Sequence, residues 1–231
     1  HICYSQDRST LKVYESSYLV CVNGKSKGIF ENLPSEYKDL PLKDYGDKLI
    51  IPGMVDLHVH APQYAFRGMC MDLELMDWLN QYTFPEEEKY TNLDYAKKAY
   101  SIFTKALKNS ATTRACIFAT RHRDATVLLM ELMEETGLVS YVGKVNMDRE
   151  ASKALIEESA EASAYNTFGW INSVHNKFQN TKPILTPRFI PCCTDELMEE
   201  LKQIQMTYGI PVQSHLSESP GEIEFVHFLR P

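Results

Sequence analysis

The 231-residue sequence lacks the patterns that mark several large classes of protein. No apolar run approaches the length of about 18 residues that spans a bilayer, and the polar N-terminal residues predict no signal peptide. The 31 acidic residues outnumber the 24 Lys and Arg, so the net charge is −7. An acidic chain is a poor partner for a nucleic-acid backbone or an anionic membrane. We therefore expect neither nucleic-acid nor membrane partners.

Cysteine is sparse and forms no recognisable metal-binding or redox motif. The six cysteines include no C-x-x-C pair, so neither a zinc ribbon nor a thioredoxin-type site is predicted. Cys192 and Cys193 are adjacent, and neighbouring cysteines rarely bridge each other without strain. We expect six reduced thiols and a reducing compartment, with the cytoplasm as the predicted location.

The order of the predicted elements indicates an α/β fold. Two β-rich runs at 18–22 and 25–30 flank Asn23-Gly24, a strong signal for a two-residue hairpin turn. After Pro52-Gly53, strands alternate with helices, which indicates parallel strands joined by right-handed crossovers. The predicted strands are 54–60, 112–119, 139–145, 182–189 and 211–216. The predicted helices are 94–108, 124–135, 153–178, 195–208 and 221–229. Their predicted N-caps and terminators are Asn92 or Asp94, Thr194, Gly137 and Gly209.

Two architectures suit this order: a doubly wound open sheet and part of a (β/α)8 barrel. The sequence contains neither G-x-G-x-x-G nor G-x-x-x-x-G-K-[ST], which weakens the nucleotide-binding versions of the open sheet. A complete barrel needs about 250 residues of its own. A barrel in this chain would therefore comprise about its first five β/α units, preceded by a small β segment.

Three histidines stand at the ends of predicted strands. His58 and His60 are two residues apart, so both rings point to the same face of a strand. His215 stands near the end of the fifth predicted strand. Converging imidazoles suit a first-row divalent metal, whereas the alternative is a set of hydrogen-bonded structural histidines. Glu218 follows closely, where a carboxylate could move a proton from water or remain a solvated side chain.

Other side chains could recognise a flat ring. Arg188 and Phe189 end the fourth predicted strand, where a guanidinium can donate to a carbonyl and a phenyl ring can stack. The alternative is a salt-bridged arginine and a core phenylalanine. Gln63 carries an amide that both donates and accepts. Three aromatic residues either line a pocket or pack the barrel: Trp78, Tyr82 and Phe84. Three other histidines are interpreted as surface or core residues: His122, His175 and His227.

Several short strings of this sequence occur together in one known family. They are Pro52-Gly53-Met54-Val55-Asp56-Leu57-His58-Val59-His60-Ala61-Pro62-Gln63-Tyr64, Trp78-Leu79, Tyr82-Thr83-Phe84-Pro85-Glu86, Val142-Gly143-Lys144-Val145-Asn146-Met147-Asp148, Thr186-Pro187-Arg188-Phe189 and Gln213-Ser214-His215-Leu216-Ser217-Glu218. In this combination the sequence resembles the guanine deaminases of the amidohydrolase superfamily, in order from about Val22 to Arg230. The H-x-H string alone indicates only the superfamily.

The resemblance implies a fold and an activity. It implies an incomplete amidohydrolase-type (β/α)8 barrel over 51–231 that contains strands 1 to 5, part of a small β-sandwich domain over 1–50, and a homodimer. The implied reaction is the zinc-dependent hydrolysis of guanine to xanthine and ammonia, with iron as the alternative metal in an imidazole-rich site. The implied roles are zinc ligands for His58, His60 and His215, a proton shuttle for Glu218, and purine contacts for Gln63, Arg188 and Phe189.

The sequence departs from the family pattern at its end. Family members carry a further metal-site histidine on the sixth strand and an aspartate on the eighth, whereas the sequence stops at Pro231. An inactive fragment is therefore an alternative to an active deaminase. A second alternative is hydrolysis of another purine, a pyrimidine or a triazine. The cytidine-deaminase type is not indicated, because neither H-x-E nor P-C-x-x-C occurs.

Overall fold

A computed structural model describes residues 1–230 of the chain. The chain divides into two units between Gly53 and Met54, directly after the Pro-Gly breaker. The assignment of residues 1–50 to a β-sandwich domain stays a prediction. Among the described residues, no helix has both the length and the apolar composition needed to cross a bilayer.

Two antiparallel hairpins form the N-terminal unit. Their strands are β1 (Ile2–Ser5) with β2 (Leu11–Tyr14), and β3 (Tyr18–Val22) with β4 (Lys25–Phe30). Asn23 and Gly24 join β3 to β4 with positive φ angles of 52° and 73°. Positive φ at both central residues is what a type I′ turn requires, so the Asn-Gly hairpin is confirmed. The hairpin of β1 and β2 was not predicted strand by strand, because its four-residue strands give little periodic signal.

Parallel strands form the centre of the second unit. One sheet has the order β5 (Met54–His60), β6 (Thr112–Phe118), β7 (Val139–Gly143) and β9 (Thr181–Pro183). A separate parallel pair joins β8 (Val145–Asn146) to β10 (Thr186–Pro187). Because the strands run in the same direction, their C-terminal ends meet at one edge. Side chains that are far apart in sequence are brought together there.

The described part of this unit contains the helices α1 (Leu75–Trp78), α2 (Phe84–Glu88), α3 (Leu93–Lys108), α4 (Arg123–Thr136), α5 (Ala160–Val174), α6 (Asp195–Tyr208) and α7 (Pro220–Leu229). The last five follow the predicted order, whereas α1 and α2 were not predicted. The side chains of Asn92 and Thr194 accept hydrogen bonds from backbone N–H groups in the first turns of α3 and α6. Gly137 and Gly209 end α4 and α6 in the left-handed conformation. These caps and terminators are confirmed.

The predicted helix over 153–178 is too long. In the structure α5 begins at Ala160, because the side chain of Ser159 accepts the N–H of Ala162 and caps the helix there. Before it, Glu157 turns inward and its Oε1 accepts a hydrogen bond from the buried Lys144 at 2.8 Å. The chain before α5 is therefore not helical where Glu157 contacts Lys144. The apolar spacing of the sequence does not indicate this break.

Three predicted strands are shorter than expected. The strand at 139–145 divides at Lys144, whose side chain is buried against Glu157. The strand at 182–189 divides into β9 and β10, each ending in a proline that has no N–H to donate. The segment 211–216 is extended, but its only ladder contact among the described residues is a parallel bridge between Leu185 and Val212.

Two buried clusters fill the second unit. The larger one lies between the sheet and the helices, and α3 contributes Ala96, Tyr100, Phe103 and Leu107 at helical spacing. The smaller one includes Phe118 and Phe189, which stand at or just beyond the C-terminal ends of β6 and β10. The smaller cluster therefore underlies the edge where the strand ends meet.

Gly143 at the end of β7 is tightly enclosed. A Cβ atom there would lie 2.8 Å from the Ile184 carbonyl oxygen and 2.9 Å from Thr186 Cβ. We expect Gly143→Ala to lower the free energy of unfolding by about 1–3 kcal/mol through overpacking. The matched control is Gly169→Ala, which meets only the flexible Arg123 side chain and gains helix propensity. Urea unfolding measures the free energy of unfolding of both variants. Equal unfolding midpoints for the two would contradict the packing argument.

Candidate active site

Three imidazoles converge where the strands end. His58 and His60 belong to β5, and His215 lies on the extended segment beside β10. Their candidate ligand nitrogens all lie within 4.8 Å of one another. The Nε2 atoms of His60 and His215 are 2.9 Å apart, although 155 residues separate the two in sequence. The structure therefore brings together all three predicted histidines.

Phe118 supports all three rings. Its ring centroid lies 5.0 Å from that of His58, 4.4 Å from that of His60 and 4.5 Å from that of His215. The side chain is fully buried at the end of β6, directly opposite His60 in the parallel register. Sequence reasoning missed this residue. The available signal was its position at the end of the strand that follows the H-x-H strand.

Backbone contacts fix the orientation of His215. Its Nδ1 lies 2.6 Å from the carbonyl oxygen of Arg188, and its backbone N–H donates to the same oxygen at 3.0 Å. Because a carbonyl only accepts, Nδ1 carries the proton and Nε2 presents a lone pair. Burial lowers the pKa of His215 to about 4, although the Arg188 carbonyl opposes this shift. Burial also holds the pKa of His60 well below its usual range. Both rings are therefore neutral near pH 7.

These three residues fit a divalent metal ion. Neutral imidazole nitrogens are the donors that bind first-row metals, and a ligating histidine commonly donates its other N–H to a backbone carbonyl, as His215 does. Two ligand atoms at about 2.0–2.1 Å from one tetrahedral ion lie about 3.3 Å apart, slightly more than the 2.9 Å between the two Nε2 atoms. In addition, Nδ1 of His60 is buried without a hydrogen-bond partner among the described residues. The arrangement could hold a metal through these nitrogens.

Glu218 stands on a loop that Glu222 anchors. The buried carboxylate of Glu222 accepts the backbone N–H of Glu218 at 2.6 Å and that of Ser217 at 3.1 Å. Burial raises the pKa of the Glu218 carboxyl, while His58 nearby partly offsets the shift. A carboxyl with a raised pKa can both accept and return a proton closer to neutral pH.

The predicted site residues surround one cavity of about 710 Å³. This volume is typical of small-molecule sites. All seven predicted site residues line it: His58, His60, Gln63, Arg188, Phe189, His215 and Glu218. Trp78 lines the cavity as well, whereas Phe84 is buried in the smaller core cluster. Within the described residues, the histidine group that could hold a metal does not include the three histidines interpreted as surface or core residues: His122, His175 and His227.

Arg188 and Phe189 combine the two alternatives considered from the sequence. Both line the cavity, yet Arg188 is only 2% exposed and Phe189 only 3%. Nη1 of Arg188 donates to both carboxylate oxygens of the buried Glu87 at 3.0 and 2.9 Å. Arg188 is therefore salt-bridged and at the cavity wall, and Phe189 is a core residue that also faces the cavity. Sequence reasoning missed Glu87, because a run of three glutamates usually indicates a solvated surface.

Residues 49–229 match the model of the amidohydrolase family. The chain belongs to this family. It is 41% identical over 200 residues to the guanine deaminase of Rattus norvegicus, covering 86% of this chain and 43% of that protein. It is 34% identical over 227 residues to the guanine deaminase of Escherichia coli (strain K12), covering 96% of this chain and 51% of that protein. The chain thus spans about half the length of these relatives.

A solved structure shows the same amidohydrolase fold. The crystal structure of guanine deaminase from C. acetobutylicum, with guanine bound in its active site, superposes with a TM-score of 0.95 at 43% identity. The match covers 99% of this chain and 54% of that chain. The predicted amidohydrolase-type barrel, present here in part, is confirmed, and the doubly wound alternative is wrong.

Metal analysis tests the histidine cluster. We expect His215→Ala to lower the affinity for a bound divalent metal by at least about tenfold, since changes outside the ligand shell already cost about 10–100-fold. The control is His227→Ala, which alters an exposed histidine on α7. Metal content is measured by mass spectrometry after dialysis against a graded chelator series. Equal retention by the two variants would contradict metal binding at the cluster.

Proposed function

We propose that the protein containing this chain hydrolyses guanine to xanthine and ammonia. The observation that carries the proposal is the cavity that joins three imidazoles, a carboxyl group, a guanidinium, an amide and a phenyl ring. This set matches the needs of a reaction in which water replaces an exocyclic amine on a flat, polar ring. Similarity to guanine deaminases over most of the chain supports guanine as the substrate.

The proposed metal is zinc, held by His58, His60 and His215. Three imidazole nitrogens form a donor set that zinc accepts readily, and iron is the alternative that such a set also accepts. When bound, the ion supplies Lewis acidity that allows water to act as a nucleophile near neutral pH. Elemental analysis of the purified protein distinguishes the two metals.

Three side chains would hold the purine. The Arg188 guanidinium can donate to the carbonyl oxygen at C6, and the Gln63 amide can donate and accept along the polar edge of the ring. Phe189 offers an apolar face against which the base can pack. Because Arg188 is almost completely buried, its hydrogen bond to a substrate would form with little competition from water.

Glu218 would transfer the protons. It takes one proton from the water that attacks C2 and delivers it to a ring nitrogen, which breaks the conjugation at C2. It then takes the remaining proton from the oxygen added at C2 and delivers it to the exocyclic amine, so that the C–N bond breaks, ammonia leaves and the oxygen remains as the C2 carbonyl. The raised pKa of this carboxyl suits a group that must accept and return a proton in one cycle.

The location and the assembly are also proposals. All six cysteines lie in the described residues and are free, which supports a reducing compartment such as the cytoplasm. The homodimer rests on family resemblance alone. Light scattering of the purified protein measures its mass in solution, and fractionation of cells measures its location.

Substrate choice is tested directly by turnover. The protein is assayed with guanine, adenine, cytosine and their nucleosides at equal concentrations, and release of ammonia is recorded for each. We expect the highest kcat/KM for guanine, with xanthine as the product identified by chromatography. Equal or better turnover of any other compound would overturn guanine as the substrate.

The shuttle role of Glu218 predicts a specific kinetic change. We expect Glu218→Gln to lower kcat by about 100-fold or more, since the amide cannot accept and return a proton. Metal content should remain at the wild-type level. Glu224→Gln is the control, because it makes the same change at an exposed position on α7. Retention of wild-type turnover by Glu218→Gln would exclude the shuttle role.

A further inference from the structure

Glu87 is the buried counter-charge of Arg188. Its side chain is fully buried, and its two carboxylate oxygens lie 3.0 and 2.9 Å from Nη1 of Arg188. Glu87 thus engages one nitrogen of the guanidinium. A guanidinium has five N–H donors, so the groups on Nε and Nη2 remain for another acceptor. Arg188 also lines the cavity, where a substrate would offer that acceptor.

The helix that carries Glu87 contacts the guanidinium twice. Phe84 and Glu87 are three residues apart on α2, so both side chains lie on one helix face. The Arg188 guanidinium carbon lies 5.1 Å from the centroid of the Phe84 ring, a cation–π contact. The carboxylate and the ring together restrict how the guanidinium can turn.

A π turn sets the direction of this helix face. Residues Leu79–Thr83 form a π turn between α1 and α2. A π turn adds one residue, and one residue rotates a helix by about 100°. As a result, Trp78 just before the turn and Leu79 at its first residue line the cavity, while Phe84 and Glu87 after the turn face Arg188.

The pair is costly to disturb because both charges are buried. A buried ion is tolerated when it is paired, and removal of one partner leaves the other without compensation. Since the Arg188 side chain is only 2% exposed, water would compensate little for a loss of the Glu87 charge. The orientation of Arg188 at the cavity wall therefore depends on the carboxylate behind it.

We propose that Glu87 is a positioning residue for substrate recognition: it holds the Arg188 guanidinium so that Nε and Nη2 face the carbonyl oxygen of the purine. This inference rests on the proposed function, since it assumes that Arg188 contacts the substrate. It assigns Glu87 no contact with the substrate itself. Its effect should therefore be seen in the recognition of the carbonyl group and not in the chemical step.

Two ligands isolate that recognition. Hypoxanthine carries a carbonyl at C6 and purine does not, and neither has the amine that is hydrolysed. We expect Glu87→Gln to raise the dissociation constant of hypoxanthine by at least about tenfold, since a hydrogen bond to a charged group is lost or misdirected. The dissociation constant of purine should change by less than about twofold. For guanine, KM should rise by about as much as the hypoxanthine constant, with kcat nearly unchanged.

The neighbouring glutamates provide matched controls. Glu86 accepts a hydrogen bond from Lys89 at 2.6 Å, and Glu88 accepts one from Ser152 at 2.6 Å. Glu86→Gln and Glu88→Gln therefore make the same chemical change on the same helix without touching Arg188. We expect both variants to bind hypoxanthine with wild-type affinity. If Glu87→Gln does not fold, Glu87→Asp retains the charge one methylene further away and should raise the hypoxanthine constant while leaving that of purine unchanged.

The outcomes separate this inference from the proposed function. Failure of the wild-type protein to convert guanine would overturn the proposed function. With wild-type turnover established, equal increases for hypoxanthine and purine would show a general distortion of the cavity and would overturn the positioning role. Unchanged binding of both ligands by the Glu87 variants would overturn it as well. A selective loss of hypoxanthine binding supports it.

Discussion

Arg188 connects the two halves of the candidate site. Its side chain is a buried cation neutralised by Glu87, and its backbone carbonyl accepts two hydrogen bonds from His215. Its own backbone N–H donates to the carbonyl oxygen of Asn146, which ties the segment to the neighbouring strand β8. A buried charge must remain paired. The pairing holds the group proposed to bind the purine, and the backbone carbonyl of the same residue holds one of the three imidazoles.

The parallel sheet supplies the rest of the arrangement. Strands that run in one direction present their C-terminal ends at one edge, so the histidines of β5 meet His215 there. Phe118, at the end of the adjacent strand β6, gives the three rings an apolar support. The neutral state of His60 and His215 follows from their burial, because a charged imidazole would lose its hydration.

Local sequence signals succeeded where short-range interactions decide the conformation. The Asn-Gly turn, the caps at Asn92 and Thr194 and the glycine terminators each depend on neighbouring residues alone. They failed where a distant partner intervenes. Residues 153–159 are not part of the predicted helix, because Glu157 pairs with Lys144. The extended segment around His215 forms backbone hydrogen bonds with Leu185, between β9 and β10, and with Arg188, just after β10. Periodicity carries no information about such partners.

The α/β order, the candidate ligands and the family resemblance can be read from the amino-acid sequence, because strand periodicity and motif spacing are local properties of the chain. Long-range packing is needed to bring His60 and His215 within 2.9 Å of each other and to place Phe118 beneath them. Long-range packing also selects one of three consecutive glutamates as the partner of Arg188: 101 residues separate Glu87 from Arg188, and only folding brings them into contact. The charge run looks alike at each position, and what distinguishes Glu87 is the helix face that a π turn directs toward the buried guanidinium.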